Sequence, residues 1–396
     1  MKMKSILPIA VAVLSLEFAG TASAQNYVYI TGSTAFRNAI YDAFAGTTVF
    51  DAPPTIAVYG ANAALNPHTG NQMDFEGTIG GASYIIKCAW SGSEAGIGDV
   101  VSTTQTRTFS NDIGVGGVTA GVFSSAPPST VSHTVDLAPA DNSQAASKTK
   151  TPALTQFNVV GIIPFVWVKN AQGHPYTPGT FPDYDRLVNV THPQIRVALT
   201  GGTKLALLTG NSADTKFVYV SGRDNNSGTR VNCLADCGYG ITKTVSQFNL
   251  GGVNGAPTIT GVGNGGQSSG GTLANTMGIS GSATTADPVN GGTGWYAIGY
   301  MGMPDYLETA SLLDAVALTL NGVAESTAAI QEGQYSYWGR VHIYAKNAPN
   351  LTAAAQTVFN KLTPAAIGAV TDGIKTINIT TMNATKTTDL SDPTHN

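Results

Sequence analysis

Within residues 217–230, FVYVSGRDNNSGTR, Arg223 stands four residues before Ser227-Gly228-Thr229. These residue types at this spacing suit the binding of an oxyanion. A guanidinium is a planar fork of N–H donors that matches tetrahedral oxygen geometry. Ser227, Gly228 and Thr229 stand where a helix would begin. The first turn of a helix has backbone N–H groups without internal partners, and its dipole favours negative charge. The hydroxyls of Ser227 and Thr229 would add donors, and Gly228 lets the backbone come close. The run Phe217-Val218-Tyr219-Val220 before them reads as a buried strand. The same residues also read as a polar turn followed by a Ser-capped helix, which is a common arrangement.

The spacing of Arg223 and Ser227-Gly228-Thr229 resembles the R-x-D-G-S-G-T signature of the phosphate-binding proteins that serve bacterial ABC phosphate transporters. Other stretches resemble the same family, in the same order. Thr31-Gly32-Ser33-Thr34-Ala35-Phe36, with Tyr41 beyond it, resembles the opening T-G-A-G-A-T-F-x-x-x-x-Y, one residue shorter in the turn. Ala35 stands at the family's hydroxyl position, so Thr34 is expected to supply the hydroxyl and Ala35 and Phe36 their backbone N–H groups. Residues 84–90 read as a strand, and Ser91-Gly92-Ser93-Glu94-Ala95-Gly96 resembles the G-S-[SG]-G loop, with Ser93 as the donor and Ser91 in reserve. Residues 135–141, VDLAPAD, resemble V-D-F-G-A-S-D, whose last residue is a ligand-facing aspartate. That assigns Asp141, with an N-cap as the alternative. Residues 295–303 and 334–346 resemble the family's G-A-I-G-Y and late Y-P-[LI]-x-R strands.

The resemblance implies an α/β, two-lobed periplasmic binding protein of type II, with two crossover strands and a ligand cleft between the lobes. Residues 25–162 and 301–396 would form one lobe and 163–300 the other, with the apolar run 158–169 as a crossover strand. Thr34, Ala35, Phe36, Ser93 and Asp141 would face Arg223, Ser227, Gly228 and Thr229 across the cleft. The implied ligand is inorganic phosphate and the implied partner an ABC permease, for a monomer without cofactor or catalysis. Asp141 suits phosphate rather than sulfate, because it can accept a hydrogen bond from a ligand that keeps a proton.

The rest of the chain limits the alternatives. Residues 1–24 have the form of a secretory signal, with Lys2 and Lys4, an apolar stretch at 6–16, and Ala22-Ser23-Ala24. The apolar stretch is too short to span a bilayer, and no cysteine near the cleavage site offers a lipid anchor. The expected location is therefore periplasmic or secreted. Charged residues are 11% of the chain, against about 25% for an ordinary domain, and the net charge is −4 with no basic face. That argues against nucleic acid and leaves an anion site dependent on local donors. The six histidines lack metal-ligand spacing, so no metal site is expected. Cys233 and Cys237 could pair in an oxidising compartment, near the geometric limit for a regular helix, while Cys88 reads as buried.

Residues 261–266 fit G-x-G-x-x-G and residues 266–270 fit G-x-S-x-G. With 46 glycines such matches are ordinary, and only His342 and His395 lie downstream for a catalytic triad. No enzyme is expected. Residues 51–83, 103–133 and 246–290 read as insertions, and 307–320 as an apolar helix. A second class stays open: a secreted or surface module of the same fold that binds another anion or none.

Overall fold

The computed structural model describes residues 25–61 and 65–395; the secretory signal expected at 1–24 lies outside the described residues. The first strand, β1 (Asn26–Ile30), leads through a Gly/Ser/Thr turn into α1 (Arg37–Ala45). There follow β2 (Thr55–Tyr59), β3 (Gln72–Ile79), β4 (Ala82–Ala89) and α2 (Ser93–Val101). β1 and β4 pair in parallel, from Asn26 opposite Tyr84 to Ile30 opposite Cys88. The segment read as an insertion at 51–83 is part of this sheet: β3 pairs antiparallel with β4, and β2 with β3. Of the next three strands, β5 (Thr106–Ser110) and β7 (Thr130–Thr134) form a hairpin of their own, and β6 (Gly121–Phe123) extends the sheet at β2. β8 (Leu137–Ala140) then returns beside β1.

β9 (Phe157–Lys169) joins the two halves of the sheet. Its β-branched and aromatic residues are buried from Val160 onward, as befits a strand covered on both faces. Pro164, which has no N–H for a ladder, stands where the pairing changes. Up to Pro164, β9 pairs with the late strand of the first half; from Phe165 onward it pairs with strands of the second.

The second half runs through α3 (Pro182–Arg186), β10 (Asn189–Val190), α4 (His192–Ala198), β11 (Thr203–Lys204) and α5 (Leu205–Thr209). β12 (Phe217–Ser221), α6 (Gly228–Asp236), the hairpin β13 (Gln247–Val253) and β14 (Ala256–Gly263), and α7 (Gly270–Met277) come next. β12 pairs in parallel with β15 (Trp295–Gly302), and β15 pairs antiparallel with β9. The expected helix at 307–320 is a correction: the helical run that begins at Met303 stops at Leu313, and β16 (Val316–Leu320) follows, paired with Lys169–Trp167 of β9. Asp314 at φ 58° takes the left-handed conformation and ends the helix. β17 (Trp338–Ala345) closes the first half between β9 and β8.

Among the described residues no helix is long and apolar enough to cross a membrane. The three cysteines are free thiols and all are buried.

One ionic clasp joins segments distant in sequence. His68 places Nε2 2.9 Å from Asp42 Oδ1 and Nδ1 3.1 Å from Glu308 Oε1. Lys375 Nζ also reaches Glu308, at 2.7 Å. Burial alone would lower the His68 pKa, but the hydrogen bonds and charges of Asp42 and Glu308 raise it from 6.5 to about 9. Burial would raise Glu308, yet His68 and Lys375 hold it at about 2. The histidine contribution is therefore complete below pH 6.5 and is lost as the pH rises through about 9. The glutamate contribution is present above pH 4.5 and lost as the pH falls through about 2. Wild type should lose on the order of 1–2 kcal/mol of this clasp on the alkaline side, and His68→Gln should not. Denaturant unfolding on either side of the histidine titration checks this; parallel curves for the two proteins would refute it.

Candidate functional site

Four chain segments converge at the carboxyl ends of β1, β4, β8 and β12. In the first, Gly32 at φ +142° lies so close to Pro139 that a β-carbon would meet its carbonyl, and Ser33 N–H donates to that carbonyl at 2.8 Å. This turn sets Thr34 and Ala35 at the start of α1, both buried. The N–H of Phe36 donates to Ser33 Oγ at 3.2 Å, so it already has an internal acceptor. In the second segment, Ser91 Oγ lies 2.7 Å from Thr31 Oγ1. Ser93, in the first turn of α2, points instead to Asp141 and donates to Oδ1.

Asp141, just past β8, is 1% exposed and accepts donors from both halves of the sheet. Besides Ser93, Thr229 Oγ1 of α6 donates to Oδ2 at 3.3 Å. Asn232 Nδ2 donates to the Asp141 carbonyl at 2.7 Å, and Asp141 N–H donates back to Ser93 Oγ at 3.2 Å. Burial raises the Asp141 pKa; Ser93 and Arg223 pull it down without prevailing. Gly228 opens α6 directly against this carboxylate, and a β-carbon there would run into Asp141, Asn142 and Ser93. Ser227 caps the helix, its Oγ accepting from Arg230 N–H at 3.3 Å.

Arg223 leaves β12 through a turn and is 1% exposed. Its Nε donates to Gln267 O at 3.1 Å, and its Nη2 to Ser268 O at 3.0 Å and Thr34 Oγ1 at 3.3 Å. Nη1, equally buried, has no hydrogen-bond partner. A guanidinium with a free N–H edge, buried beside hydroxyls and helix starts from both halves, is a donor set for an oxyanion.

All nine residues expected from the sequence lie in this region. Thr34, Ala35, Phe36, Ser93 and Asp141 come from the first half, and Arg223, Ser227, Gly228 and Thr229 from the second. Asp141 meets Ser93 and Thr229, Arg223 meets Thr34, and Ser227 acts as the helix cap.

Sequence reasoning missed a second charged pair beside them. Arg37, the first residue of α1, and Asp305 are both buried, with Nη2 3.6 Å from Oδ1. Asp305 Oδ2 has no hydrogen-bond partner and lies against Gly270, the first residue of α7. Burial lifts the Asp305 carboxyl to about 6, against the pull of Arg37 and Arg223. A cavity of about 10 Å³, roughly the size of one water, lies between this pair, Thr34 and His68. The available signals were a cation directly after the Thr31–Phe36 turn, and a lone charge after the apolar run 295–304.

No family model and no curated protein matches the chain. Among solved structures, it is similar to a Clostridium perfringens protein described as a phosphate ABC transporter substrate-binding protein with bound phosphate: TM-score 0.49, 14% identity, covering 89% of this chain and 100% of that one. It is also similar to an ABC-type phosphate transport receptor from Vibrio cholerae: TM-score 0.42, 11% identity, covering 87% of this chain and 96% of that one. A third is a phosphate-binding protein from Stenotrophomonas maltophilia: TM-score 0.43, 13% identity, covering 90% of this chain and 91% of that one. Such likenesses carry no information about the site, whose reading rests on its own residues.

Gly228 offers a sharp test of the geometry. Gly→Ala inside a helix ordinarily stabilises by about 0.5–1 kcal/mol. Here the added carbon collides with Asp141, so Gly228→Ala should lower the melting temperature and force α6 away from β8. A melting temperature equal to or above that of wild type would show that the two halves do not meet at Gly228 as described.

Proposed function

We propose that the protein captures inorganic phosphate between the two halves of its sheet and releases it to an ABC permease, outside the cytoplasm. The carrying observation is the free Nη1 of a buried Arg223, set among donors contributed by both halves. The backbone N–H groups at the starts of α1, α2 and α6 would add the polar wall that an oxyanion needs. The halves would act as lobes hinged at β9. In this reading β16, which pairs with the second part of β9, would belong to the second lobe, and the return crossing would follow it. Delivery to a permease and export rest on the sequence resemblance and on the form of residues 1–24.

Two buried carboxylates beside an anion site favour a ligand that brings its own protons. Asp141 and Asp305 would repel a bare oxyanion at short range in a poorly solvated space. A phosphate that keeps a proton can donate it to Asp141 as a hydrogen bond, whereas sulfate near neutral pH has none to give. The raised pKa of Asp141 adds a proviso: binding should weaken at acid pH, where the carboxyl takes up a proton and loses its role as acceptor.

Arg223→Ala should weaken phosphate binding by roughly 2 kcal/mol or more, and Arg223→Lys should restore only part of it. Calorimetric titration of the three proteins decides; an Ala variant as tight as wild type would place the site elsewhere. Asp141→Asn should narrow the preference for phosphate over sulfate, since an amide donates to either ion. A competition titration at constant ionic strength would expose the opposite case, an unchanged ratio, which would reduce Asp141 to a structural residue.

A further inference from the structure

The seam between the halves opens outward into a groove that shares only Ser227 with the phosphate site. A cavity of about 430 Å³ lies between Lys148 and Lys150 of the first half and Val231, Leu234 and Ile241 of the second. A second cavity, of about 360 Å³, shares Leu234, Ile241 and Thr242 with it and runs on to Leu390. The main-chain bond from Glu94 N–H to Asn226 O, 3.0 Å long, joins the halves beside this groove.

The two ends of the groove differ in chemistry. Lys148 Nζ donates at 3.0 Å to Asn225 O and to Asn226 Oδ1, both neutral acceptors. Among the described residues neither Lys148 nor Lys150 has a carboxylate in salt-bridge contact. The other two charges on the wall are satisfied internally. Glu94 accepts from Asn142 Nδ2 at 2.8 Å, Ser147 Oγ at 3.1 Å and Lys148 N–H at 2.8 Å. Arg230 donates to Arg223 O at 3.2 Å and Asn264 O at 2.8 Å. Two ammonium groups against one saturated carboxylate leave this end cationic. Past Val231, the walls are supplied by Ile241, Leu390, Ala235 and the backbone of Gly238 and Gly240, with Leu234 almost wholly buried behind them and Thr242 lining both cavities.

We propose that this groove is a second binding site, for a small amphipathic anion. Its oxyanion head would pair with Lys148 and Lys150, and its apolar body would lie along Leu234 and Ile241 toward Leu390. The first cavity alone falls in the range of about 300–1,000 Å³ typical of small-molecule pockets, and an apolar wall with a few polar groups at one end matches their usual make-up. Desolvating several methylene groups there supplies the drive, and the ammonium pair selects the charge.

The test uses octanoate, below its micellar concentration, titrated calorimetrically into the mature chain, with 1-octanol as the uncharged control. Wild type should bind octanoate saturably, with octanol at least tenfold weaker. The double variant Lys148→Ala/Lys150→Ala should bind octanoate at least tenfold more weakly. Thr242→Trp, at an exposed position on the groove wall, should block octanoate while leaving the melting curve and inorganic phosphate binding as in wild type. The proposal is overturned if wild type shows no saturable octanoate binding, if the lysine variant binds octanoate equally well, or if octanol binds as tightly. Octanoate failure with phosphate binding intact removes this site alone. Phosphate failure with octanoate binding intact removes the preceding reading alone.

Discussion

A carboxylate taken almost wholly out of water must find donors, or give up its charge. Asp141 finds them only where the two halves of the sheet meet: Ser93 approaches from α2 and Thr229 from α6. Neither half alone supplies both. Bringing the halves together therefore creates the hydrogen bonds that make the burial of Asp141 tolerable, and parting them lets water replace the missing donors. The absence of a side chain at Gly228 permits this approach, because any β-carbon would stand between α6 and the carboxylate. β9 links the halves as a continuous strand whose ladder partner changes at Pro164.

Around that point the charges are arranged in opposition. Arg223 and Arg37 face Asp141 and Asp305, all four buried, and no pair among them makes a close, fully satisfied salt bridge. Nη1 of Arg223 and Oδ2 of Asp305 are left without hydrogen bonds. Such atoms cost stability when buried, on the order of 1–3 kcal/mol each, and a ligand that satisfies them offsets that cost. A protonated oxyanion suits both: its oxygens can take the free guanidinium N–H, and its hydroxyl can give a proton to a carboxylate. Such a set would discriminate by hydrogen-bond direction, which neutral donors alone would not do.

What could be read from the sequence follows how local the chemistry is. Arg223 and Ser227-Gly228-Thr229 are legible because strand, turn and helix start lie within fourteen residues of one another in sequence, 217–230. Thr34 and Ser93 share that layout. Arg37 and Asp305 escaped because neither has a signature of its own: each acquires meaning from a partner brought near by the sheet. The segment 51–83 reads as an inserted loop and hairpin, and β2 and β3 do pair antiparallel, but an alternating pattern does not say which sheet edge a hairpin extends. The stretch 307–320 has apolar residues at helical spacing, and the left-handed turn at Asp314 that ends the helix leaves no mark in that pattern.

The account is tested most directly by small-angle scattering of the mature chain, freed of bound anions, with and without inorganic phosphate. The site residues are buried, so in the proposed reading a ligand enters when the halves part. Saturating phosphate should therefore shrink the radius of gyration, and sulfate at the same ionic strength should not. Identical profiles in the presence and absence of phosphate would contradict capture between closing halves.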